Sequence, residues 1–300
     1  MSYLRLLIAA LLFAAGPALA GPYEDGLAAY NRGDYKTAMR AWLPLAQSGN
    51  PNAQFSLGAM YDNGQGVPKD YQQAMFWFLK AADQGDAKAQ FNLGNIYAKG
   101  DDVPKDDQKA VFWYRKAADQ GFASAERNLG YRYDTGQGVP KDDQRAVFWY
   151  RKAADRGDAK AQFNLGVMYD NGRGVPKDDQ QAVFWFRKAA DQGDAEAQFN
   201  LGGNYERGEG VPKDDQQAVL WYRKAADQGT ADAQFNLGLM YAEGRGVPKD
   251  DQLAYFWWLL ASVGADAGSV KNRDIVEKLL TPQQRATAQA DARNWKPTKQ

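Results

Sequence analysis

Cysteine and histidine are both absent from the 300 residues. Without cysteine there is no disulfide framework and no thiolate metal site. Without histidine the chain lacks the commonest acid–base residue and the commonest metal ligand. Net charge is missing too, since lysine plus arginine and aspartate plus glutamate each total 37. A balanced chain gives no reason to expect a nucleic acid or an anionic membrane as partner. Long apolar runs are confined to the first twenty residues. Arg5 precedes the apolar run Leu6 to Ala15, and Ala18-Leu19-Ala20 reads as an A-x-A processing site. The run is short for a membrane span, which needs about 20 apolar residues. Residues 1–20 therefore read as a signal peptide cleaved after Ala20. The expected location is the periplasm or the exterior, with no membrane insertion after cleavage.

What the chain has in abundance is repetition. The leucine of an LG pair recurs at Leu57, Leu93, Leu129, Leu165, Leu201 and Leu237, a constant step of 36 residues. Such a period marks a repeat array and overrides the two-domain expectation from length alone. Each copy holds two helix-length segments, so the fold class is all-α, a solenoid of helix pairs. Residues 195–230 illustrate the logic. Asp194 is placed to cap the first helix, in which Ala197, Leu201, Gly202 and Tyr205 recur at helical spacing. Gly208 and Gly210 end it, and Val211-Pro212 imposes an extended step. Asp214 opens the second helix, whose stripe is Ala218, Trp221, Tyr222, Ala225 and Ala226. Six such copies span 51–266. Residues 21–50 read as a degenerate first repeat. In the last copy Leu259 and Leu260, with Tyr255 and Trp258, turn the outer face apolar. Residues 267–300 are expected to cover it as capping helices, one over 273–280 and one from Pro282 to about Trp295, with 297–300 frayed.

The pattern A-x-AQFNLG-x-MY-xx-G-x-GVPKDDQQA-VFW(Y/F)RKAADQG resembles the Sel-1-like repeat, a subfamily related to the tetratricopeptide repeat. The likeness covers nearly all of the chain after residue 20. It implies a right-handed superhelix of antiparallel helix pairs, with the first helices lining the concave face, acting as a protein–protein adaptor. Bacterial relatives of this kind are linked to signalling, envelope processes and host interaction. A secreted, cysteine-rich branch is associated with penicillin binding and β-lactamase activity. This chain has neither those cysteines nor an S-x-x-K motif.

On that architecture, the residues two before each leucine lie near the concave face: Phe55, Phe91, Arg127, Phe163, Phe199 and Phe235. Two readings compete: a ribbon of aromatic anchors for a partner segment, or rings packed between helices. Repeat 123–158 departs most, with Glu126, Arg127, Tyr131 and Arg132 at positions that differ elsewhere. It is either a central specificity patch of Arg127, Tyr131 and Arg132, or drift in one copy. The turn acids Asp62-Asn63-Gly64 and Asp170-Asn171-Gly172 lack the alternating ligand spacing of a calcium loop and read as turn formers. The expectation is a non-catalytic, monomeric adaptor for protein partners, with no cofactor and no metal. Its competitors are a cell-wall or β-lactam hydrolase and a secreted factor that binds host proteins.

Overall fold

A computed structural model describes residues 21–100, 103–262 and 267–298. The signal-peptide reading of 1–20 lies outside the described residues. Among those described there are sixteen helices and no strand, so the fold is all-α. They are α1 (Pro22–Asn31), α2 (Tyr35–Gln47), α3 (Pro51–Asn63), α4 (Tyr71–Asp83), α5 (Ala87–Lys99), α6 (Asp107–Asp119), α7 (Ala123–Thr135) and α8 (Asp143–Asp155). Then follow α9 (Ala159–Asn171), α10 (Asp179–Asp191), α11 (Ala195–Arg207), α12 (Asp215–Asp227), α13 (Ala231–Glu243), α14 (Asp251–Ala261), α15 (Ala267–Glu277) and α16 (Pro282–Asn294). The chain divides into two compact units, one reaching Ile96 and including Val103, the other holding 97–100 and everything from Pro104.

Local chemistry sets the helix ends. Asp106, Asp142, Asp178, Asp214 and Asp250 each accept an amide of the first turn of α6, α8, α10, α12 and α14. That satisfies one of the four orphan donors of each helix. The first helices stop at a left-handed glycine, as α9 does at Gly172 with φ 64°. Two residues on, a Cβ on Gly174 would lie 2.2 Å from the Asp143 carbonyl oxygen, so only glycine fits against the preceding repeat.

In the first unit α1 to α4 pack in chain order. Trp42 is their hub: it stacks on Tyr23 at 5.7 Å and donates its indole N–H to the Tyr23 carbonyl at 3.0 Å. In the second unit α6 to α14 pack consecutively, each helix against the next. Within a repeat the LG glycine lets the helices close: a Cβ on Gly166 would meet the Phe186 ring at 2.6 Å. Between repeats the bonds are polar. Gln162 donates to the Ala154 carbonyl at 3.0 Å, and Arg151 donates to the Tyr169 hydroxyl. Arg187 and Arg223 repeat that link to Tyr205 and Tyr241. The recurrent tyrosine thus carries a hydrogen bond as well as filling space.

At the C-terminal end α15 and α16 pack on α14. Tyr255 and Trp258 are buried with Val276, Leu280 and Ala288. Helix α15 spans Ala267–Glu277, earlier than the expected 273–280, and α16 opens with a capping box between Thr281 and Gln284. Residues 297 and 298 are not frayed. Thr298 donates its amide to the Asp227 carbonyl at 2.8 Å, and Trp295 packs into the α12–α13 cluster, because the apolar indole anchors the segment that follows it.

Candidate functional site: a cleft across α7, α9 and α11

A concavity of the second unit lies across three successive first helices. It is about 420 Å³ in volume, lined by Arg127, Asn128 and Tyr131 of α7, Lys160, Phe163 and Asn164 of α9, and Asp194, Ala195 and Glu196 at the start of α11. Helical spacing explains the convergence. Arg127 and Tyr131 are four apart, Lys160 and Phe163 three apart, so each pair shares one face.

The cleft exists because repeat 123–158 has arginine where its neighbours have phenylalanine. In those neighbours the ring leans on its own second helix: Phe163 on Phe186 at 5.9 Å, Phe199 on Tyr222 at 5.8 Å. Arg127 turns instead toward Asp158, with Nε 3.4 Å from a carboxylate oxygen. Asp158 keeps its other task, accepting the Ala161 amide at 2.9 Å to cap α9. The space is then framed by two rings, the half-buried Phe163 and Tyr131, which is 47% exposed.

Charge is distributed by wall. Arg127 and Lys160 stand on α7 and α9, while Asp194 and Glu196 stand on α11. Asp194 spends one oxygen on the Ala197 amide. Near by, burial and the Asp134 carboxylate hold the Tyr150 hydroxyl protonated far above its ordinary range. The lining contains no serine, threonine, histidine or cysteine. What the arrangement supplies is hydrogen-bond donors, flat apolar surface and acceptors, the elements of recognition.

Of the eight residues singled out from sequence, the cleft unites Arg127, Tyr131 and Phe163. Arg132 is elsewhere. It is buried, with Nη1 at 2.6 Å from Asp107 and 2.8 Å from Gln137, because the next residue on a helix points about 100° away. Phe199 is half-buried on α11 against Tyr222. Phe235 is half-buried on α13 in the cluster of Tyr255 and Trp258. Phe55 leans on Phe78 at 5.8 Å within the first unit, and Phe91 is half-buried on α5. Sequence reading missed Lys160, Asn128, Asn164 and Glu196. A signal existed, since Lys160 and Glu196 stand three before Phe163 and Phe199 and so share their face. It also missed an outward aromatic on the second helices: Phe112, Phe148 and Phe184 are about half exposed, each under the lysine four residues on.

The sequence profile of the Sel1 repeat matches residues 51–86, 87–122, 123–158, 159–194, 195–230 and 231–262. Among solved structures the chain is similar to a protective antigen present in uropathogenic Escherichia coli strains, which displays an SLR fold. The two are 38% identical with a TM-score of 0.83 over 91% of this chain and 60% of the antigen. It is also similar to a Sel1 repeat protein from Oxalobacter formigenes, at 39% identity and a TM-score of 0.72 over 81% of this chain and 97% of that one. This chain therefore spans only 60% of the antigen's length. No curated protein matches it.

Proposed function

The chain belongs to the Sel1 repeat family, whose repeats generally serve as non-catalytic scaffolds for protein contacts, and from that premise we propose that it is an exported adaptor holding a partner protein in the α7–α9–α11 cleft. The cleft carries the proposal: one repeat gives up a packing ring and thereby leaves charged and aromatic groups facing a common space. Export rests on the leader pattern of Arg5, the apolar run and Ala18-Leu19-Ala20. Among the described residues no helix is long and apolar enough to cross a membrane.

The test is affinity capture from an envelope extract with residues 21–300 as bait, beside a Tyr131→Ala/Lys160→Glu variant. Both side chains line the cleft, and circular dichroism would confirm that the variant remains helical. A partner retained by the parent and lost by the variant supports the adaptor. Equal capture by both removes the cleft from the mechanism.

The likeness to a protective antigen favours a second reading, in which the exported chain meets host proteins. Culture fractionation separates the two. Retention in the periplasm supports the envelope adaptor, and release into the medium supports the host-facing role.

A further inference from the structure

We infer that the cleft recognises a mixed-charge peptide segment, an acidic and a basic side chain flanking an apolar or aromatic one; this inference rests on the adaptor reading and specifies its partner. The donors stand on one side. Arg127 Nε is buried and has no hydrogen-bond partner, its approach to Asp158 being ionic at 3.4 Å. Among the described residues Lys160 has no ion-pair partner, and Asn164 has no hydrogen-bond partner. Lys160 and Asn164 are unspent where a ligand carboxylate would accept from them, and Arg127, ion-paired to Asp158, adds positive charge beside them. Arginine's planar fork and lysine's point charge both suit such an acceptor.

The opposite wall forbids a wholly acidic ligand. Glu196 carries no ion pair among the described residues, and Asp194 has one carboxylate oxygen left after capping α11. A polyanion meets both acids, and a polycation meets both Arg127 and Lys160. Only a segment with opposite charges at its two ends satisfies both walls. Between them Tyr131 and Phe163 offer ring faces for one apolar side chain. The volume of about 420 Å³ lies within the range of ligand pockets, and it admits a few residues of extended chain.

The same face in the neighbouring repeat shows why the site is local. There Phe199 rests on Tyr222, and no arginine stands at its position. Only repeat 123–158 pairs an arginine at this position with an exposed tyrosine one turn later.

The experiment is fluorescence anisotropy on the full chain with end-blocked peptides. Two probes carry aspartate, phenylalanine and lysine in either order along the chain. Controls are the all-acidic, all-basic and phenylalanine-to-alanine versions, with free phenylalanine as a competitor. One mixed-charge order should bind, and each control should lose about tenfold in affinity. Lys160→Glu should weaken the mixed peptide and strengthen the all-basic one, a transfer of preference that a damaged fold would not produce. Equal binding of all peptides, or indifference to Lys160→Glu, overturns the inference. Competition by free phenylalanine at the peptide's own affinity also overturns it, in favour of a small-molecule site. Cleft-dependent capture of a protein without any mixed-charge peptide binding overturns the inference and leaves the adaptor standing. Peptide binding without a cleft-dependent partner does the reverse.

Discussion

Repeats 123–158 and 159–194 are neighbours in one unit, built on nearly the same sequence, and they solve the same packing problem with different chemistry. In the second, Gln192 donates to Gln162 at 2.7 Å across thirty positions. In the first, the same two positions hold Arg156 and Glu126, joined at 3.2 Å. Glu126 is wholly buried, whereas the Arg156 side chain is 52% exposed. Buried Met168 is likewise replaced by Arg132, which finds Asp107 and Gln137. The charges that replace neutral residues here, Glu126, Arg127, Arg132 and Arg156, thus each meet a counter-charge. The substitutions are coordinated, since an unpaired buried charge is strongly destabilising. At Arg127 the exchange borders open space, the cleft shared with α9 and α11.

The largest break in this comparison should come from Arg156→Ala. It strands a buried carboxylate and should cost about 2–3 kcal/mol, discounted because water reaches the arginine. Gln192→Ala removes only a neutral bond, at about 1 kcal/mol. Urea unfolding distinguishes them, and the double change Glu126→Gln with Arg156→Gln should return stability to within about 1 kcal/mol of the parent. Equal losses for the two single variants would mean that the ion pair is no different from the amide pair.

Next come the glycines the two repeats share. A Cβ on Gly130 would meet the Tyr150 ring at 2.7 Å, and one on Gly166 the Phe186 ring at 2.6 Å. Gly130→Ala and Gly166→Ala should each destabilise by about 1–3 kcal/mol through overpacking. Their thermal midpoints should fall together, because the scaffold is common even where the charges differ.

A subtler contrast runs through three acids at one repeat position. Asp134 is held by Tyr150 and Arg173. Glu206 is held by Tyr222 and Arg245, each at 2.7 Å. For Asp170, between them, the corresponding positions hold Phe186, which has no hydroxyl to donate, and Glu209, a like charge. Burial pushes Asp170 up, with Glu209 adding to it. Burial alone would raise Glu206 as well, but the bonds from Tyr222 and Arg245 outweigh it and hold the carboxyl low. The signs are opposite. Glu206 stabilises the fold above the ordinary carboxyl range, and that contribution disappears as pH falls through its lowered value. Asp170 penalises the fold above its raised value, and acidification through that value relieves the penalty. Glu209→Arg should therefore stabilise the protein by about 0.5 kcal/mol at neutral pH. Glu206→Gln should flatten the loss of stability below about pH 4. Unfolding measured across pH 3–7, roughly the window in which carboxyls titrate, checks both.

The smallest effects belong to the surfaces. Lys160→Glu and Phe184→Ser should each change stability by less than about 0.5 kcal/mol, as substitutions outside the core do. Circular dichroism melts of both should overlay the parent, while only Lys160→Glu alters peptide binding.

Much of this was legible beforehand, and the misses have a common cause. The leucine, glycine, tryptophan and capping aspartate of each repeat announced themselves by period, because a repeated core needs the same volume at the same place each time. Arg127 and Tyr131 were legible as a pair because four residues close one helical turn. Arg132 misled because adjacency in sequence was taken for adjacency in space. Phe112, Phe148 and Phe184 sit one residue before a buried tryptophan and, for the same angular reason, point outward. The apolar outer face of the last repeat signalled a cover, and the anchoring of Thr298 to Asp227 had no local signature at all.

The amino-acid sequence by itself determined the all-α fold class, the repeat length and the positions of caps, turns and buried rings, because these follow from periodicity and from residue-specific backbone preferences. Only the tertiary structure decided which charges meet. Glu126 finds Arg156, and Arg132 finds Asp107, through contacts thirty and twenty-five residues apart. Such pairings depend on side-chain direction and on the space a neighbouring helix leaves. That is why the cleft between Arg127, Lys160 and Glu196 took shape only once three helices were laid side by side.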